Sequence, residues 1–128
     1  MRLKLGAFLV AILIFVPAFA PVFAHHGTAA YDETNRVTIK GTVTQFLWAN
    51  PHTQILLDVK DDKGNITHWS TETFSPGKLV HMGWTQDCIK PGDQVSITLN
   101  PAKNGSPVGY LLKVVFADGR ELGTQEQR

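Results

Sequence analysis

From Val37 onward, apolar and polar positions alternate. Val37, Ile39, Gly41 and Val43 are interleaved with Thr38, Lys40, Thr42 and Thr44, and the run continues to Trp48. A period of two predicts a half-buried strand. Gly41 in its middle predicts a bulge or a sharp bend, which the long first strand of a small barrel needs in order to close on itself. Ala49-Asn50-Pro51 is a turn signal. A second strand follows from Thr53 to Lys60, with Ile55, Leu57 and Val59 on one face. Asp61-Asp62-Lys63-Gly64 reads as a hairpin turn, and a third strand runs from Asn65 to about Thr73.

The period then changes. Ser75-Pro76 has the form of a helix start, with Ser as N-cap and Pro at the first helical position. Lys78 to Met82 fill the helix and Gly83 closes it. Lys90-Pro91-Gly92-Asp93 is a type II turn sequence. Strand four is Gln94 to Leu99 and strand five is Gly109 to Phe116, separated by the Asn104-Gly105 turn. Asp118-Gly119 turns once more, and a polar tail runs from Gly123 to Arg128. Three strands, one short helix and two strands is the element order of an all-β, five-stranded, OB-like Greek-key barrel. The alternative is an immunoglobulin-like sandwich, which needs about seven strands.

The first 24 residues follow a different logic. Arg2 and Lys4 precede an apolar run from Leu5 to Val16, and Val22-Phe23-Ala24 fits a signal-peptidase site. Residues 1–24 are therefore expected to be a cleavable secretory signal. The competing reading is an uncleaved anchor, since Leu5 to Ala24 is uncharged and about 20 residues can span a bilayer. Pro17, Pro21 and the cleavage site oppose it. Expected boundaries are thus 1–24 for the signal, 25–36 for an extended arm, 37–122 for the barrel and 123–128 for a frayed tail. The location is expected to be periplasmic or secreted.

Cleavage changes the charge. The 12 Lys and Arg fall to ten against 11 Asp and Glu, leaving a net −1 with no basic run. Bulk-charge binding of nucleic acid or of an anionic membrane is not expected. Cys88 is the single cysteine, so the chain forms no internal disulfide.

All five histidines, His25, His26, His52, His68 and His81, follow the leader. A cut after Ala24 gives His25 a free α-amino group. That amine and the imidazole form a chelating pair, and nitrogen sets of this kind suit tetragonal Cu(II). His26 supplies a further nitrogen. His52, opening strand two, falls near the end of strand three, and the helix carrying His81 begins soon after, so both are candidate ligands. His68 lies five residues along the hairpin, roughly 16 Å away at strand rise, and is expected to point outward near Asp58. Each histidine also has a plain structural reading: a turn-bonding His52, a packing His81, a terminal pair with no role.

A second constellation is aromatic and polar. Trp48, Asn50, His52, Glu72 and Trp84 fall near the same turns and are candidates to line a pocket for a small molecule or another exported protein, with Glu72 placed to orient the His52 ring. The plain alternative is that the rings fill a small core. No acyl-transfer, P-loop or dinucleotide fingerprint occurs in the chain, so a binding protein is expected in preference to an enzyme.

Several marks recur together: His25-His26 after the leader, Gly41-Thr42-Val43, Trp48-Ala49-Asn50-Pro51-His52, Trp69 with Glu72, Gly83-Trp84, Pro91-Gly92-Asp93 and Asp118-Gly119-Arg120. In these the chain resembles an uncharacterised domain-of-unknown-function family of small exported bacterial proteins. The resemblance implies an exported small β domain and no particular activity.

Overall fold

The computed structural model describes residues 28–125. The expected leader, His25, His26 and residues 126–128 lie outside them. Among the described residues six strands form, β1 (Val37–Leu47), β2 (Gln54–Lys60), β3 (Ile66–Glu72), β4 (Gln94–Pro101), β5 (Val108–Phe116) and β6 (Glu121–Gly123), with one α-helix, α1 (Pro76–Val80), between β3 and β4. The sheet order is β3-β2-β1-β4-β5-β6, and β5 returns to pair with β3. Five strands therefore close into a ring. All ladders are antiparallel except β3 with β5, which runs parallel over Ser70–Glu72 and Val108–Tyr110. This is the OB-like barrel expected from the element order, and the closure rules out two separate sheets.

The long β1 makes the ring possible. Its first half, Val37–Thr42, pairs with β4, and its second half, Thr42–Leu47, pairs with β2, with a register shift between Val43 and Gln45. The change of partner falls at Gly41–Thr42. A Cβ on Gly41 would lie 2.4 Å from the Asp58 carbonyl oxygen, so only glycine lets the two backbones pass this closely.

Inward positions of β1, β2, β4 and β5 supply the core: Ile39, Val43, Ile55, Leu57, Ile97, Leu99, Leu111 and Val114 are all buried. Burying a side chain of this size stabilises by about 1.5–3 kcal/mol. Leu79 from α1 joins them. The helix ends at Val80, two residues before its expected end, because the chain turns there: Trp84 N–H donates to Leu79 O and Gly83 N–H to Val80 O, with Gly83 at φ 87°. This C-terminal turn needs a left-handed residue, and it drives the next residue, Trp84, into the core.

Two boundaries differ from expectation. The C-terminal segment is tied down as far as Thr124: β6 pairs with β5, the Trp84 indole N–H donates to Gly123 O at 2.8 Å, and the buried Thr124 hydroxyl donates to Leu112 O at 3.0 Å. A polar tail signal misses this because Thr is polar by type yet satisfied by two backbone carbonyls. The arm is likewise not simply extended. Thr28–Ala30 is a 3₁₀ turn and Tyr31 bridges to Ala102.

Candidate functional site

The outward face where β2 begins, β3 ends and β5 begins carries two of the expected residues, Glu72 and His52. Gln54 faces Glu72 across β2 and β3, and Glu72 faces Tyr110 across the parallel seam. The alternation that buries Ile55 and Thr71 turns Gln54, Glu72 and Tyr110 outward. Onto this face folds the arm. The Tyr31 hydroxyl donates to Glu72 Oε1 at 2.7 Å, and its ring packs against Tyr110 with centroids 5.9 Å apart. Tyr110 in turn meets Phe74 edge-on at 6.0 Å, and Lys78 Nζ sits 3.5 Å above the Phe74 ring.

His52 enters from the β1–β2 connection, just after the cis Asn50–Pro51 peptide. Backbone bonds extend the β2–β3 ladder past its formal ends, Thr73 N–H to Thr53 O and Thr53 N–H to Phe74 O. They bring the Thr73 carbonyl to His52. His52 Nδ1 lies 2.9 Å from that oxygen, and since a carbonyl only accepts, Nδ1 carries a proton, so that in the neutral ring Nε2 holds the lone pair. Metal-ligating histidines are commonly fixed in this way.

The other expected residues divide. Trp48 is half-buried with its ring 5.7 Å from Phe46, and Asn50 is exposed; both flank His52 in the chain. His81 is exposed at the C-terminal end of α1. Trp84 does not line a pocket: it is 1% exposed and its N–H is taken by Gly123. The glycine turn that made it look like a rim residue instead points it inward. His68 is exposed and its Nδ1 lies 2.6 Å from Asp58 Oδ1, as its facing register position requires. Glu72 does not touch His52 as a direct partner of the ring; the Thr73 carbonyl does that, and Glu72 holds Tyr31.

Tyr31 and Tyr110 were not singled out by sequence reasoning. Their signal is weak, since an aromatic in a polar arm or at a strand end has no periodic partner to mark it. Burial holds the Tyr31 phenol above its ordinary range, reinforced by the hydrogen bond to Glu72 and by that carboxylate's charge. Burial likewise raises Tyr110. Both are thus neutral phenols at ordinary pH. Two further threonines face the barrel interior beneath this site, Thr53 and Thr73, and neither hydroxyl makes a well-formed hydrogen bond.

Among the described residues, no three His, Cys, Asp or Glu side chains gather to hold a metal ion. A metal centre here would need donors from residues 25–27 in addition to His52.

The fold and face define a small OB-like barrel with an N-terminal arm clasped across its β3–β5 seam. The chain belongs to a family of unknown function, DUF6152, whose profile matches residues 14–111. That span takes in His25, His26, the arm and every residue of the clasp. No curated protein matches the chain.

Proposed function

We propose that this chain is an exported metal-binding protein, acting from the periplasm or as a secreted molecule, that takes Cu(II) through the amine and imidazole of His25 with His26. His52 Nε2 is the additional ligand from the barrel. The observation that carries this reading is the fastening of the arm to Glu72, the chain neighbour of the Thr73 carbonyl that takes up His52 Nδ1 and leaves Nε2 to a ligand. Tyr31 sits over β3 and β5, and β2 lies only about 10 Å from β5 at ordinary strand spacing. From His26 to Thr28 the chain can span at most about 7 Å, so this end of the barrel is within reach of the terminal histidines. Copper storage, delivery or sensing is the role we assign to such a site.

The test is a Cu(II) titration of naturally processed protein, followed by visible absorption and intact mass. A control carries one extra residue ahead of His25. Tight binding is expected in the first, and a loss of at least tenfold in affinity in the second. His52→Gln is expected to shift the visible band with a smaller loss. Equal affinity with and without the extra residue overturns the reading, as does a mature chain that does not begin at His25.

A second reading rests on Trp48. A half-buried indole beside the exposed Asn50 and His52 suits a small-molecule or protein partner that uses no metal. Under it, Trp48→Ala abolishes partner capture while copper affinity stays unchanged.

A further inference from the structure

At the far end of β2, about 20 Å from His52 at strand rise, the surface opens into a cleft of about 470 Å³. Its cause is the change of partner along β1. The β1–β2 ladder ends at Thr42 and Asp58, and beyond that pair β1 runs against β4. Two more steps of the same register would set Lys40 opposite Lys60. The strands part before that contact is made, and the cleft fills the gap between them. Both lysines line it, with Thr42, Asp58, Gln94 and Ser96.

Like charges at facing positions of a ladder are destabilising. Here both ammonium groups are exposed, and among the described residues neither has a carboxylate partner. The one acid at the rim, Asp58, is already engaged by the His68 ring at 2.6 Å. Gln94 adds an amide that donates to the Thr42 hydroxyl at 2.7 Å, leaving that hydroxyl's own proton free to donate. Ser96 brings a further hydroxyl on β4, at the register position facing Lys40. Two cations and several neutral donors therefore surround a cleft of small-molecule size.

We infer that this cleft binds a small molecule bearing a multiply charged oxyanion, held between Lys40 and Lys60. An anion there makes a charge-assisted contact with each ammonium group. The site is separate from the metal site, and either stands without the other.

The test uses ¹H–¹⁵N spectra of the isolated protein, titrated with citrate and, separately, with pyrophosphate, at constant ionic strength set by sodium chloride. Saturable shifts are expected at the amides of Gly41, Thr42, Val95 and Ser96 with at least one probe. Binding of citrate alone identifies a carboxylate site, and of pyrophosphate alone a phosphate site. Binding of both identifies a general oxyanion site. The double variant Lys40→Gln/Lys60→Gln is expected to weaken binding at least tenfold, and Lys40→Arg/Lys60→Arg to retain it. Shifts that merely follow total salt, or saturable binding that the glutamine variant leaves intact, overturn the inference.

Discussion

Replacing Tyr31 with Phe removes one oxygen and leaves the ring that packs on Tyr110. The lost bond joins a neutral hydroxyl to a carboxylate at 2.7 Å in a partly buried setting. Hydrogen bonds to charged groups contribute about 1.5–3 kcal/mol net. Glu72 is only half-buried, so water can reach it once Tyr31 lets go. That places the expected loss at the lower end, about 1.5 kcal/mol. For a domain of this size such a loss lowers Tm by about 6–12 °C. The assay is urea unfolding of the wild type, Tyr31→Phe, Glu72→Gln and the double variant. In the cycle, the coupling between the two positions should be about 1 kcal/mol or more, because glutamine keeps an acceptor but not the charge. A coupling below about 0.3 kcal/mol, or a Tyr31→Phe variant as stable as the wild type, would refute the idea that this bond fastens the arm.

The same phenol sets an alkaline limit. Because Tyr31 is raised above its ordinary value of 10.0 in the folded chain, the unfolded chain gives up that proton first. Stability from this group is complete below pH 10 and is lost as pH climbs toward the folded value. Urea midpoints measured from pH 8 to 11 should fall at the top of that range, and fall less steeply in Tyr31→Phe. Gly41→Ala should destabilise by about 3 kcal/mol, the upper end of the cost of overpacking, because the added carbon meets the Asp58 carbonyl rather than a movable side chain; urea unfolding checks it. Burial raises the Cys88 thiol, so its reaction with a disulfide reagent at pH 7.5 should be at least tenfold slower in the folded protein than in urea.

Much of the barrel was legible in the chain because its signals are local. Alternation located β1, β2 and β5 within a residue or two, and Gly41 announced the bend through the one physical property that matters there, its missing side chain. Gly83 announced the end of α1 even though the helix proved shorter. What could not be read were pairings between distant segments. The β3–β5 seam, the bond from Trp84 to Gly123 and the clasp from Tyr31 to Glu72 join residues 38 or more positions apart, and nothing in their neighbours encodes the partner. Trp84 shows the hazard: a ring beside a glycine turn reads as exposed until the direction of the turn is known. His52 was the opposite case, since its place after Asn50-Pro51 and opposite the end of β3 followed from hairpin register alone.

The parallel ladder that closes the ring is only three residues long, against six or more for β1 with β4 and for β2 with β3. It is the natural place for the cylinder to part, like a cuff along its shortest fastening. Tyr31 lies across that join, bonded to a residue on one side and packed on a residue of the other. The tension of the N-terminal strap and the integrity of the cylinder are therefore one mechanical property. Any ligand that grips the strap also tightens the wall beneath it.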